Sequence, residues 1–400
     1  MRHIIKAGSF GEKKLQALEK IGVFQGEKHL NKSVWIHAVS VGEVNVALKL
    51  IQDLEEILEN PRFILSTTTL TGAKKAKESL SKNSKHVYFP FDLKFICKKF
   101  ITFHNPSILL LVETEIWPNL INVSNELKLP VVLINGRLSN KSLKKYQILS
   151  AFFKRSFNKI SFAFVQSKND FVRFLEAGIY EESMSVSGSI KFDINVRPVN
   201  NFSENEVNYY KDKYLFVCGS THPGEEEILI NSFIDLKKEN KHLVLAPRHP
   251  DRFNEIKEIL NAKKLSSTLY TEISSNPYDK SDVTIVNVMG RLLDFYEYAD
   301  YVFVGGTLVD HGGQNFLEPA VFNKPIIAGK STYNFEEISK KLRDLGLLRF
   351  VSNKDEIISA LENIDVVSES LKQEINFWLR ENRGASDLIS KEVCEKFNLI

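Results

Sequence analysis

Carboxylates stand just beyond apolar runs at two places in this 400-residue chain. His37-Ala38-Val39-Ser40-Val41-Gly42-Glu43 closes the run 33–38, and Glu113-Thr114-Glu115-Ile116-Trp117-Pro118 follows the run 107–112. A carboxylate so placed can act as a general base, taking the proton of an attacking hydroxyl. Ser40 and Glu43 also have the S-x-x-E spacing of a capping box, in which Glu43 would bond back to the Ser40 amide. On spacing alone, cap and base stand level. Gly42 favours a ligand, because backbone without a Cβ can approach one closely. Glu113 and Glu115 point the same way if the chain stays extended. The Trp117-Pro118 pair argues against an ordinary acidic helix start there.

Other strand ends carry hydroxyls and cations. Ser66-Thr67-Thr68-Thr69 follows one apolar run and Asn135-Gly136-Arg137 another, and Arg137 offers a fork suited to carboxylate or phosphate. The second half reads as a nucleotide site. Gly219-Ser220-Thr221-His222-Pro223-Gly224 opens an acidic helix whose amides are placed to hold phosphate. Arg248 follows the next run, and Gly305-Gly306-Thr307 begins a further loop. Asn315 and Glu318 again have capping-box spacing, and a glutamate in that first turn can also accept from ribose hydroxyls. There is no GxGxxG and no GxxxxGK[ST]. With no DxD and no clustered His and carboxylates, neither a metal nor a cofactor is expected.

Ligands of open α/β sheets sit beyond the carboxyl ends of the strands, so the elements matter through where they end. Strands are expected at 33–38, 62–66, 86–89, 107–112, 130–134 and 160–165, then at 214–218, 242–246, 283–286, 301–304 and 325–327. Helical patterns such as 47–58 and 72–79 fall between them. Near-continuous apolar strands alternating with helices indicate parallel sheets covered on both faces. The polar stretch 193–207, with Pro198, reads as a linker between a domain at 1–195 and another at 205–370. The tail 371–400 reads as a helix crossing back to the first domain. Hydrophobic residues at 43% and charged residues at 26% are those of a globular protein. A net charge of +3 argues against wholesale nucleic-acid binding. Cys97, Cys218 and Cys394 are isolated and suggest neither disulfides nor a zinc knuckle. The longest apolar run, 108–112, is far short of the ~20 residues of a spanning helix. Residues 1–10 lack the apolar core of a secretory signal, so folding in the cytoplasm is expected.

Taken in order, the strings HAVSVGE (37–43), STTTLTG (66–72), VETEIWPNL (112–120), INGRLS (134–139), GSTHPGEEE (219–227), APRHPDRF (246–253), VMGRLLDFY (288–296) and GGQNFLEPA (312–320) resemble the 3-deoxy-D-manno-octulosonic acid (Kdo) transferases of lipopolysaccharide synthesis. The resemblance implies an inverting, metal-independent transfer of Kdo from CMP-Kdo to a lipid A precursor, lipid IVA. It also implies a GT-B fold, two Rossmann-like domains with parallel sheets facing across a cleft, the acceptor in the first and CMP in the second. By motif, Glu43 matches the family's base, and Glu113 and Glu115 match a second essential acidic segment, with Glu115 favoured. Arg248, Met289, Gly290, Asn315 and Glu318 fall in CMP-binding segments, with Ser220 and Thr221 nearby. Ser40, Gly42, Thr68 and Arg137 are the acceptor-side candidates, Arg137 meeting the lipid's phosphates. The implied partners are CMP-Kdo, the lipid A precursor and an anionic inner-membrane surface, met at its cytoplasmic face.

Three departures stand out. The family's N-terminal hydrophobic anchor is not seen, although the basic stretch with Lys13, Lys14 and Lys20 is. Gln314 stands where many members have histidine. The loop 308–311 is variable in the family, so His311 receives no role. A GT-B enzyme using a UDP- or GDP-sugar, or a sugar-nucleotide epimerase, is the nearest alternative. A non-catalytic two-lobed binding protein is the other, and the carboxylates at the strand ends count against it.

Overall fold

Alternation along β1 (Ser33–His37) sorts its side chains onto two faces, Val34 and Ile36 on one, Trp35 and His37 on the other. Both faces are buried, and that requirement explains why no clean polar alternation appears in the sequence. In the computed structural model, which describes residues 2–24, 33–148, 150–193, 201–276, 279–363 and 367–399, with backbone alone at 2–10 and 150–152, the same sorting recurs in every central strand. β2 (Phe63–Thr67), β3 (Lys85–Tyr88), β4 (Pro106–Val112), β5 (Val131–Gly136), β6 (Phe162–Val165) and β7 (Met184–Val186) join β1 in the order β3-β2-β1-β4-β5-β6-β7. All pairings are parallel. Trp35, Leu109, Leu111, Val131 and Leu133 build one core, while Ile36, Ile108, Leu110, Val132 and Ile134 build the other.

A second seven-stranded sheet has the order β10-β11-β9-β8-β12-β13-β14. Its strands are β8 (Tyr214–Thr221), β9 (Lys241–Pro247), β10 (Ser267–Leu269), β11 (Val283–Ile285), β12 (Tyr301–Val304), β13 (Ile326–Ala328) and β14 (Leu348–Phe350). Its pairings are parallel too. The chain divides into two compact units, Met1–Ile194 with Asn382–Ile400, and Asn195–Glu381.

Three strands have no counterpart in the expected set: β7, β10 and β14. Each has three residues and lies at a sheet edge, where one side is not covered and a continuous apolar run is not needed. The expected linker also ends early. Ser203 caps the helix Glu204–Tyr210 with a complete capping box, Glu206 accepting from the Ser203 amide at 2.6 Å. Residues 194–200, including Pro198, lie outside the described residues.

The tail is two helices, Glu369–Glu381 and Ala385–Lys396, and not one. Gly384 breaks the chain between them at φ +101°, a conformation few other residues tolerate. The second helix joins the first unit, where Ile389 and Val393 enter the core with Leu50 and Leu54 of the helix Val41–Ile57. Asp193 holds its start, accepting from the Gly384 amide at 2.6 Å and the Ser386 amide at 2.8 Å. A carboxylate at a helix N-terminus is favoured by the orphan amides there.

Candidate functional site

Ser40 caps the helix Val41–Ile57, its Oγ accepting from the Glu43 amide at 3.3 Å. Glu43 does not complete the expected box. Its Oε2 accepts from the Val39 amide at 2.7 Å, one residue earlier than the Ser40 amide, and its Oε1 accepts from Ser40 Oγ at 2.9 Å. The cap thus draws the carboxyl back over the end of β1. Burial raises its pKa to about 8, the charges of Glu113 and Glu115 adding to the effect. A Cβ at Gly42 would meet only Ser40 Oγ, at 3.8 Å, so the fold itself has no steric need for glycine there.

The Glu113 and Glu115 pair is brought together differently from the extended segment expected. Glu113 takes φ +58° and turns the chain at the end of β4, with its amide still bonded to the Ile134 carbonyl at 2.9 Å. The two carboxyls then separate in role. Glu113 pairs with Lys191 at 2.9 Å, and Glu115 accepts from the Trp117 indole at 3.0 Å. Burial raises Glu115 to about 7, the Trp117 bond opposing the shift and Glu113 reinforcing it. Below them His37 is wholly buried, stacked on Phe89 at 4.0 Å, and bonded through Nδ1 to Ser66 Oγ at 2.9 Å. Burial lowers its pKa to about 3, so it stays neutral.

Thr68 and Arg137 are also at this end of the sheet. The Thr68 carbonyl accepts from Gln16 at 2.8 Å, tying the helix Arg2–Lys20 to the end of β2. The Arg137 carbonyl accepts from the Thr114 hydroxyl, tying the turns after β4 and β5 together. Lys191 and His37 were not anticipated from the sequence; Lys191 lies in a string, VSGSIKFDI, with no sign of which carboxylate it meets.

In the second unit a bulge at the end of β8 shapes the corresponding site. The register shifts between Gly219 and Thr221, and Ser220 takes φ +55°. Gly305 passes so close that a Cβ there would lie 2.2 Å from the Ser220 carbonyl oxygen. Thr221 is turned inward, donating to Glu226 at 2.9 Å, while its carbonyl accepts from the Arg248 amide at 3.0 Å. The Thr221 side chain is thus wholly buried, its hydroxyl engaged with Glu226.

The acidic helix Glu225–Asp235 also differs from the phosphate cradle expected. Glu225 is wholly buried and accepts from four amides, His222 at 2.9 Å, Gly306 at 2.8 Å, and Thr307 and Leu308 at 3.0 Å each. Glu226 pairs with Arg252 at 2.7 Å. The loop amides are therefore filled by the protein's own carboxylate, and a phosphate at this helix start would meet two acidic side chains.

Arg248 is the contrasting case. No hydrogen bond or ion pair of its guanidinium occurs among the described residues, yet its charge reaches Glu318. Burial raises Glu318 to about 7, with Asn315 and Arg248 opposing. Asn315 donates to Glu318 at 3.2 Å and accepts from the Leu317 amide at 3.0 Å. The helix Leu317–Val321 begins one residue later than a capping box centred on Asn315 requires. Met289 is 67% exposed, and Gly290 beside it has φ +83° with open space around its α-carbon. Among the described residues no three His, Cys, Asp or Glu side chains gather to hold a metal ion.

Comparison with known proteins places this architecture. A likeness at 14% identity and TM-score 0.60 joins 91% of the chain to 99% of the UDP-GlcNAc 2-epimerase from Neisseria meningitidis bound to UDP-GlcNAc. At that identity the likeness speaks for the fold alone, which is the GT-B arrangement of two Rossmann-like units. The sequence profile of the 3-Deoxy-D-manno-octulosonic-acid transferase (kdotransferase) family matches residues 15–194. A bifunctional glycosyltransferase/methyltransferase from Fusobacterium nucleatum is 36% identical over 92% of the chain, which spans only 57% of that longer protein. A 3-deoxy-D-manno-octulosonic acid transferase from Haemophilus influenzae is 34% identical over 88% of the chain and 84% of its own length. Those likenesses run across both units, and the chain belongs to the 3-deoxy-D-manno-octulosonic acid transferase family of glycosyltransferases.

Proposed function

We propose that this chain transfers Kdo from CMP-Kdo to a lipid A precursor with inversion, the first unit supplying the base and the second the donor site. The observation that carries this reading is the buried Glu43 carboxyl at the end of β1, raised to about 8. A base is most effective when its pKa lies near the working pH, and Glu43 sits within about a unit of neutrality. In the proposed step Glu43 takes the acceptor hydroxyl's proton as the oxygen attacks the anomeric carbon. The bond to the CMP phosphate breaks on the opposite face, and the phosphate leaves with the electron pair. Arg248, whose guanidinium has no partner among the described residues, meets the charge developing on that phosphate. Glu318 and Asn315 are placed for the ribose hydroxyls, and Met289 and Gly290 for the base.

Burial first, with the charges of Glu113 and Glu115 adding to it, keeps the Glu43 carboxyl basic enough to take that proton in its ionised form, and Lys191 pairs with Glu113 beside it. Ser40, Gly42, Thr68 and Arg137 line the acceptor side in this reading. The acceptor's lipid nature places the reaction at an anionic membrane surface, the cytoplasmic face of the inner membrane. Support comes from an exposed apolar group on the first unit, Ile21 and Val23 beside Phe91, Leu93 and Phe95, next to Lys20. The Lys20 carbonyl accepts from the Phe91 amide at 2.8 Å and brings the two segments together. Among the described residues no helix is long and apolar enough to cross a membrane. The direct test is mass spectrometry of tetra-acylated lipid A precursor incubated with CMP-Kdo and the chain. Absence of a Kdo mass increment, with CMP-Kdo intact, would sink the proposal.

A further inference from the structure

His222 and His311 stack face to face, ring centroids 4.3 Å apart and planes 22° from parallel. They come from different strand ends, His222 just after β8 and His311 in the loop that follows β12. Gly306 lies beneath both: a Cβ there would be 3.4 Å from each and 3.5 Å from Gln314 Nε2. Gln314 Nε2 is 3.2 Å from His222 Nε2. An amide nitrogen only donates. With the amide in this orientation His222 Nε2 accepts, and the ring is neutral with its proton on Nδ1. Half a turn of the Gln314 amide would bring Oε1 to the same place, as an acceptor for a protonated ring. Glutamine can therefore bracket either state of His222.

Among the described residues no acidic side chain pairs with the His222 ring. Arg248 and His249 face His222 from the loop after β9, Arg252 from the turn beyond it, and His311 from above. Burial first, and then these groups, hold the His222 pKa down at about 4. The nearby carboxylates are already engaged, Glu225 with four amides, that of His222 among them, and Glu226 with Arg252 and Thr221. An arriving oxyanion would supply the missing countercharge and reverse the balance, since an opposite charge close by favours the protonated ring.

We propose that the stacked His222–His311 pair, bracketed by Gln314, is an oxyanion-binding element of the donor site that takes up a proton as the donor binds. The proton comes from solvent and goes to His222, and the Gln314 amide turns over to accept from the charged ring. This rests on the donor reading above. The oxyanion is either the nucleotide's phosphate or the sugar's carboxylate, which share this chemistry. A protonated imidazole beside Arg248 would then help hold the leaving group's charge.

Calorimetric titration of the full chain at pH 6.5, in two buffers of different ionisation enthalpy, reads the protons taken up per ligand. CMP presents a phosphate and free Kdo a carboxylate, so the two arms separate the sources. CMP's own phosphate, with a second pKa of about 6, releases protons if the dianion is preferred, which is the opposite sign. The expected result is an uptake in wild type that exceeds that of His222→Asn by at least ~0.3 proton, in one arm or both. Gln314→Met, which can neither donate nor accept there, should lie between them, and His222→Asn should bind about tenfold more weakly. Equal proton counts for wild type and His222→Asn in both arms would overturn the inference while leaving the donor reading intact. No CMP binding at all would remove the donor reading, and this inference with it.

Discussion

Glu43 holds the helix start and is the proposed base, and a single substitution separates the two roles. Glu43→Gln retains an amide oxygen for the Val39 N–H and a nitrogen that can donate to Ser40, so the helix start should survive. We expect unfolding free energy within about 1 kcal/mol of wild type, the scale of a cap, and turnover lowered at least ~100-fold. CMP affinity should hold, because the proposed donor residues lie in the other unit. Near-normal turnover would take Glu43 out of the mechanism. The pH profile gives a second check. A base works deprotonated, so kcat/KM for the acceptor should rise about tenfold per pH unit and level off above the Glu43 pKa of about 8. Glu113→Gln removes a neighbouring negative charge and should move that inflection to lower pH; an inflection that stays or rises contradicts the assignment. At the other site, Arg248→Ala should weaken CMP by about 1.5–3 kcal/mol, the range of a charge-assisted bond. An unchanged dissociation constant in calorimetry would place the phosphate elsewhere.

At the scale of elements, the proposed donor site is shaped by backbone in close contact with backbone. The bulge in β8 puts Ser220 at positive φ, and Gly305 runs against its carbonyl. Gly305→Ala would drive a methyl into that carbonyl at 2.2 Å, which no side-chain rotation relieves. Forced overpacking costs about 1–3 kcal/mol, and denaturant unfolding should show a loss of at least that size. An alanine variant as stable as wild type would mean that the two strand ends are not held this close. The helix Ala385–Lys396 has a comparable dependence on one residue, since Asp193 accepts from two amides at its start.

On the first unit, several exposed apolar side chains lie on two neighbouring segments. Phe95 is 70% exposed, with Ile21, Val23, Phe91 and Leu93 also open to solvent. Leu15 and Leu18 on the preceding helix are half-buried, so Ile21 and Val23 carry that face. Basic residues near an anionic surface contribute about 1 kcal/mol each, and the attraction weakens with salt. We therefore expect co-sedimentation with vesicles containing anionic lipid at low salt, diminished by Phe95→Ser and by high salt. Vesicle binding indifferent to both changes would rule out this surface.

What the sequence by itself determined is the list of strand ends that matter. Buried central strands must be apolar on both faces, so 33–38, 107–112, 214–218 and 301–304 stand out as runs, and the polar residues just past them are conspicuous. Glu43, Glu113 and Glu115 stand out as candidates for that reason, and Arg248 does so past the run 242–246, whereas Glu318 is marked by its spacing from Asn315 and by the family resemblance. The edge strands β7, β10 and β14 do not stand out, because a short strand covered on fewer sides carries no such run. Nor did any local pattern show which polar groups would be engaged. Thr221 and Arg248 look alike as candidates, yet the Thr221 hydroxyl is buried against Glu226 while the Arg248 guanidinium has no hydrogen bond or ion pair among the described residues. Glu225 reads as an ordinary acidic helix start, yet it fills the amides of a loop some eighty residues onward, Gly306 to Leu308. Lys191 meets Glu113, and His222 meets His311, across similar separations. Charge pairing and burial depend on distances in space, and those are set only when the parallel strands fall into register and bring their distant ends side by side.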